Sequence, residues 1–263
     1  PGGGVGPHID WYDVFICQGS GKRHWRVGDK GQHREYTAHP ALLHVEAFKA
    51  IIDVELAPGD ILYIPPGFPH EGITLETSLS FSVGFRAQST VSLLSGLADH
   101  LIDHEQGGEL ISDPEREISQ YSGAINHADF AMIKQQITSL TQDNDMLRDF
   151  IGSFYTQAKH ELDLQAHNEL IETEHVIFAM TEHNLMRLGG LRAFYFPETL
   201  LQGLCYINGS AAKFPAAIAP IVQLMCDQVV VSTEQLKPWL KNRDFIDFIA
   251  QQVTAGYWYF SDS

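Results

Sequence analysis

Two histidines and one aspartate are the residues whose types and spacing point most directly to chemistry. His8-Ile9-Asp10 sets an imidazole and a carboxylate two positions apart. A strand projects alternate side chains from one face, so His8 and Asp10 point together while Ile9 points away. His70 lies far downstream, in the stretch L-A-P-G-D-I-L-Y-I-P-P-G-F-P-H-E-G from Leu56 to Gly72. Prolines and glycines stiffen the backbone around it, as a metal ligand requires. Two histidines and one carboxylate make the facial set that holds non-heme Fe(II) and leaves positions open for substrate and oxygen. An H-x-D pair alone is a weak signal. The pattern G-x5-P-x-G-x2-H from Gly59 to His70 is stronger, and the two motifs in this order favour a metal site.

The elements that must position these residues are short strands. Asp10 to Gln18 is aromatic and β-branched, a continuation of the strand that carries the first two candidates. Gly19-Ser20-Gly21 is a turn, and Lys22 to Val27 is the next strand. On it Arg23, Trp25 and Val27 share one face, and Lys22, His24 and Arg26 the other. The face with Trp25 and Val27 is expected to point inward, which takes Arg23 with it. A buried guanidinium needs an anion. Two partners are open: an internal Asp or Glu, or the far carboxylate of a small co-substrate held bidentately. Gly28 to Pro40 reads as a polar loop in which His33 and His39 lack ligand spacing. Thr77 to Phe85 alternates, with Leu79, Phe81, Val83 and Phe85 on one face and serines with Gly84 on the other. If the serine face is the inner one, Ser80 and Ser82 could hydrogen-bond a co-substrate; the opposite assignment turns them to solvent. Tyr12, two residues past Asp10, either lines a target pocket or belongs to the core.

Composition narrows the class. The 263 residues carry a formal net charge of −16, with 44% hydrophobic and 19% charged residues. That balance suits a globular chain, disfavours a nucleic-acid binder, and fits solubility or a basic partner. Cys17, Cys205 and Cys226 form neither a CxxC nor an even-numbered framework, so a reducing, cytoplasmic setting is expected. No apolar run is long enough for a bilayer, and no signal peptide is visible. The chain opens at Pro1 within a glycine-rich turn, without methionine, and preceding sequence is expected to be missing.

From Val91 the period changes to helical. Ser92 to Glu105, Ala128 to Leu140 and Asp145 to Leu162 read as amphipathic helices, separated by a loop from Gln106 to Tyr121. Such a set makes a bundle, a dimer surface or a cover for the barrel. Beyond it, Asn168 to His183, Ala216 to Gln228 and Asp244 to Thr254 read as helices. Met186 to Phe196, Leu204 to Ile207 and Tyr257 to Phe260 read as strands, and Ser232 to Gln235 as a capping box. The mixture suggests a winged-helix-like module. From Leu164 to Ser263 six Lys/Arg face ten Asp/Glu, a net of −4. Phosphate binding needs the opposite sign, so a contact or structural role is expected without direct DNA binding.

The stretch from Gly59 to His70 resembles the second motif of the cupin superfamily. With G-V-G-P-H-I-D-W-Y-D-V-F-I, S-V-G-F-R-A, R-L-G-G-L-R and the final G-Y-W-Y-F, the whole chain resembles the bacterial JmjC ribosomal oxygenases. Within them it is similar to the arginine 3-hydroxylases that act on a large-subunit ribosomal protein, the sixteenth in that series. The resemblance implies an α+β chain in three parts. These are a JmjC/cupin double-stranded β-helix over residues 1–90 that lacks its N-terminal portion, a helical dimerisation region over 91–165, and a winged-helix-like domain over 166–263. It implies Fe(II) held by His8, Asp10 and His70, with 2-oxoglutarate and O2 as co-substrates. It also implies a basic residue fifteen positions after the first histidine to hold the 2-oxoglutarate tail; that position is Arg23. Ser80 and Ser82 face the co-substrate in the same pattern. A homodimer and a ribosomal-protein substrate are the implied partners. Histidine hydroxylation, lysine demethylation or a non-enzymatic cupin regulator remain the alternatives, because the barrel motifs encode iron chemistry and not the side chain oxidised.

Overall fold

Antiparallel strands of alternating burial build the first of two units, residues 1–93; the second covers 94–263. The computed structural model describes residues 2–39, 42–112, 114, 121 and 123–261. In the first unit the strands are β1 (His8–Ile9), β2 (Asp13–Ser20), β3 (Arg23–Gly28), β4 (Glu35–His39), β5 (Leu42–Val45), β6 (Ala50–Leu56), β7 (Ile61–Ile64), β8 (Pro69–Thr74) and β9 (Leu79–Phe85). One sheet has the order β4-β5-β1-β8-β3-β6 and the other β7-β2-β9. Val14 and Ile16 from β2, Trp25 and Val27 from β3, and Leu56, Leu62 and Ile64 form one buried cluster, so the sheets face each other across it. This is the double-stranded β-helix. The alternation drives it: in β2 every second residue from Val14 is buried, and its neighbours are not.

The outward face of β3 explains its charges. Arg26 Nη1 donates to Glu71 Oε1 at 2.6 Å and His24 Nε2 lies 2.5 Å from Asp53 Oδ1, both cross-strand pairs. The polar run from Gly28 is less of a loop than its composition suggests, because Glu35–His39 pairs with β5. Cross-strand pairing has overridden weak local propensity there.

The second unit contains the remainder of α1 (Thr90–Asp103), then α2 (His127–Ser139), α3 (Asn144–Thr156) and α4 (Thr173–Glu182). After these come β10 (Asn184–Arg187), β11 (Ala193–Phe194), α5 (Pro197–Leu200), β12 (Leu204–Ile207), β13 (Ser210–Lys213), α6 (Ala219–Asp227), β14 (Val230–Val231), α7 (Thr233–Leu236), α8 (Arg243–Thr254) and β15 (Trp258–Ser261). The small sheets have the orders β14-β10-β15 and β11-β12-β13. A large core, with Met180, Leu185, Ile218, Ile221, Phe245, Ile249 and Trp258 at its centre, joins the elements from α4 onward, and a smaller cluster of Leu97, Leu101 and Phe150 joins α1 to α3. The capping box at Ser232 and Gln235 forms as its spacing predicts.

In the second unit three elements differ from the sequence reading. The helix expected to reach Leu162 stops at Thr156, whose hydroxyl donates to Gly152 O at 2.7 Å and accepts from Gly209 N–H at 3.0 Å. The strand expected over Met186 to Phe196 is split by the turn at Gly189-Gly190, where Gly190 has φ +82°. The helix expected from Asn168 begins only at Thr173. Asp113 and most of the loop expected after it lie outside the described residues. Among the described residues no helix is long and apolar enough to cross a membrane.

Candidate metal centre

Strand register brings the two histidines together. β1 pairs with β8 so that His8 sits directly opposite His70, and their rings lie 4.2 Å apart between centroids. The strand stops at Ile9, so alternation alone does not deliver Asp10. The Pro65-Pro66-Gly67 turn does: Gly67 N–H donates to the Asp10 carbonyl at 2.9 Å, and Gly67 adopts φ +83° to make that approach. Asp10 Oδ2 then lies 4.0 Å from His8 Nε2 and 3.7 Å from His70 Nε2. One ligand atom from each residue falls within 4.8 Å of the other two.

Both imidazoles are prepared in the same way. His8 Nδ1–H donates to Gly6 O at 2.9 Å and His70 Nδ1–H to Phe68 O at 3.0 Å. Each bond fixes a tautomer whose Nε2 lone pair is turned to the cluster. The two residues are 7% and 2% exposed, and the Asp10 side chain 16%. Burial pushes the His70 pKa below the ordinary imidazole value, with His8 adding to it against the opposing pull of its Phe68 hydrogen bond and Asp10. A neutral imidazole is the ligand form, and the donor set suits a divalent transition metal.

Arg23 stands on the same face. Cross-strand partners share a face, and Val27 pairs with His70, Trp25 with Gly72 and Arg23 with Thr74. Arg23 is therefore four residues along β8 from the level of His70, about 13 Å at strand spacing. Its Nη2 donates to Gly72 O at 3.2 Å and its guanidinium lies 5.0 Å from the Trp25 ring centroid. Its Nε is buried without a hydrogen-bond partner, and no carboxylate pairs with it among the described residues. The internal ion pair weighed from sequence is absent there.

The remaining candidates are placed differently. Ser80 and Ser82 pair with Gln18 and Ile16 on β2, so they share the inward face of the smaller sheet. The Ser80 hydroxyl donates to Gln18 Oε1 at 2.7 Å, which commits it to holding that buried amide; Ser82 is exposed. Tyr12 packs on the apolar cluster between the sheets and lies under the Arg86 guanidinium, at 4.7 Å. One residue was missed. His44 pairs with His8 from the other side, is buried, and donates from Nε2 to Val5 O at 3.1 Å, leaving Nδ1 without a partner among the described residues. Its signal was a single imidazole inside the apolar run L-L-H-V.

A double-stranded β-helix with two histidines on the paired central strands β1 and β8 of its larger sheet and an aspartate just past β1 fits the JmjC class, and residues 1–93 match the JmjC domain family. Residues 139–259 match the ROXA-like winged helix. The chain is 39% identical over 261 residues to the ribosomal protein uL16 3-hydroxylase of Escherichia coli, covering 99% of this chain and 68% of that protein. It superposes on the X-ray structure of E. coli YcfD with a TM-score of 0.90 at 38% identity, covering 99% of this chain and 68% of that one. It also matches YcfD described as a ribosomal oxygenase in complex with cobalt and 2-oxoglutarate, with TM-score 0.86, 37% identity and the same coverage. The chain belongs to this family of JmjC ribosomal oxygenases.

Proposed function

We propose that the chain is an Fe(II)- and 2-oxoglutarate-dependent hydroxylase acting on an arginine side chain of ribosomal protein uL16. The observation that carries this reading is the buried cluster of His8, Asp10 and His70 with both Nε2 atoms freed by backbone carbonyls. The relatives add the rest: a uL16 3-hydroxylase, and a ribosomal oxygenase in complex with cobalt and 2-oxoglutarate. In this reading His8, Asp10 and His70 hold the metal. Arg23 receives the far carboxylate of 2-oxoglutarate, supported by its buried, unpartnered Nε on the face that carries His70. Iron, when bound, supplies the activation of O2 that couples conversion of 2-oxoglutarate to succinate and CO2 with insertion of one oxygen atom into a C–H bond. The chain's part is to orient the co-substrate and the target carbon and to exclude side reactions. Ser80 and Ser82 belong to the inward face of the smaller sheet and Tyr12 to the boundary of its core; they are secondary candidates.

The same reading assigns residues 1–90 to the barrel, 91–165 to a dimerising helical region and 166–263 to the winged-helix-like domain, in a cytoplasmic homodimer. The net charge of −16 suits a basic ribosomal protein and not nucleic acid. The test is intact-mass analysis of uL16 after incubation with the chain, Fe(II), 2-oxoglutarate and O2. A gain of one oxygen atom that depends on 2-oxoglutarate and maps to an arginine is expected. Loss of 2-oxoglutarate with no oxygen gained by uL16, or a gain mapped to another residue type, refutes the substrate assignment.

A further inference from the structure

A second set of two imidazoles and one carboxylate converges in the unit of residues 94–263. His100, in the last turn of α1, and His104, just past its end, are four residues apart and so share one helical face. Their ring centroids are 4.1 Å apart. From α3, Asp149 brings Oδ2 to 3.6 Å from His100 Nε2, and one ligand atom from each of the three residues lies within 4.8 Å of the others.

The way His104 is held argues for more than a chance ion pair. Its Nδ1–H donates to the His100 carbonyl at 2.8 Å, which fixes the tautomer and leaves Nε2 free. This is the device that prepares both histidines of the barrel cluster, here supplied by a helix end instead of a strand. A four-coordinate ion with bonds of 2.0–2.1 Å sets neighbouring ligand atoms about 3.4 Å apart. The His100–Asp149 spacing is already close to that, and the whole cluster needs to close by at most about 1.4 Å on the same reckoning. The three side chains line a cavity of about 840 Å³ together with Asp99 and Asp103, whose charges favour a cation. Two imidazoles and a carboxylate suit zinc and its first-row neighbours; magnesium and calcium demand oxygen donors.

We propose that His100, His104 and Asp149 bind a divalent cation of the zinc class. The ion ties the end of α1 to α3, and its fourth position opens to the cavity for water or an anionic ligand. This site is separate from the barrel cluster and does not depend on the reading given to it.

The test uses the full chain, stripped by chelator, with His70→Ala to disable the barrel cluster. Titration with Zn²⁺ by calorimetry should give one equivalent bound, and Co²⁺ should give visible d–d bands. His104→Ala removes an exposed ring and so spares the fold; it should weaken Zn²⁺ binding at least about 30-fold, and Asp149→Asn at least about 10-fold, with unchanged circular dichroism. A chain that binds no Zn²⁺, or binds it equally well after both changes, overturns the proposal. In the unsubstituted chain the same question is a stoichiometry: two equivalents should fall to one on His104→Ala, and an unchanged count also overturns it.

Discussion

The two His-His-Asp clusters show what different scaffolds do with the same ligand set. In the barrel, strand pairing sets His8 against His70 from distant parts of the chain, and Gly67 pins the Asp10 backbone beside them. In the helical unit the two imidazoles come from adjacent turns, and only Asp149 arrives from another element. Sheet register fixes position at both ends of each ligand pair, and the barrel histidines are almost wholly buried. Helical periodicity fixes only spacing; His104 is exposed and the Asp149 side chain is 35% exposed. The ligand atoms of both clusters meet the same 4.8 Å limit, so the barrel's advantage is not shorter spacing but burial and a backbone that holds its histidines from both sides, which preorganises it more.

The largest expected difference is catalytic. His70→Ala removes one ligand and leaves Asp10 and His8 facing a void, so hydroxylated product should fall at least about 1,000-fold in single-turnover assays. Retention of 2-oxoglutarate turnover and Fe(II) affinity would refute the proposed ligand set. Arg23→Ala should instead raise the 2-oxoglutarate concentration for half-maximal rate about 10- to 100-fold, because a buried carboxylate would lose its charged partner. Metal affinity should stay within about twofold. Arg23→Lys should fall between, since an ammonium cannot reproduce the guanidinium fork. An unchanged requirement removes Arg23 from the site.

Two glycines sharpen the comparison at the level of packing. A Cβ at Gly72 would lie 2.7 Å from the Trp25 ring, and a Cβ at Gly152 on α3 would collide with Tyr206. Either alanine should cost about 1–3 kcal/mol in denaturant unfolding, as overpacking does. Gly72→Ala also displaces the Trp25 ring and the carbonyl that hold Arg23, so it should raise the 2-oxoglutarate requirement. Gly152→Ala shifts the helix that carries Asp149, so it should weaken Zn²⁺ binding at the second cluster. The reverse pattern would mean that the two units are not served by these contacts.

Legibility followed the same division. His8, His70 and the inward turn of Arg23 could be read directly, because strand alternation and a Pro/Gly-rich turn are local signals. Asp10 was named by alternation, but β1 ends at Ile9 and the Gly67 turn is what places it. His44 could not, since its importance comes from pairing with His8 across the sheet, which no local pattern reveals. For Ser80 the sequence left the inward and solvent-facing assignments both open, and its engagement by Gln18 across 62 residues was out of reach of any local pattern. In the helical unit His100 and His104 have visible i,i+4 spacing; Asp149 joins them only through the packing of Leu97 and Leu101 against Phe150. The helix that stops at Thr156 gives way to extended backbone at Gln157, and the last helical hydroxyl is engaged by Gly209 N–H, again a partner far along the chain.

The smallest effect is a pH dependence that ranks the two clusters without any metal. Burial pushes both His70 and His100 below the ordinary imidazole pKa; His8 adds to the first, and His104 to the second against Asp149 and Asp103. The unfolded chain therefore takes up protons near its unperturbed value of about 6.5, where the native state still refuses them. More protons bound in the unfolded state means stability that rises with pH, so it is lost as pH falls below about 6.5 and on through the folded values. Each histidine contributes at most about 1.4 kcal/mol per pH unit to that slope. Urea unfolding of the chelator-treated chain between pH 7 and 5 should show a falling midpoint. His70→Gln should flatten the slope more than His100→Gln, because the His70 side chain is 2% exposed against 9% for His100. Equal flattening would mean that strand register and helical periodicity desolvate their imidazoles alike, and the stated difference in preorganisation between the clusters would have to be withdrawn.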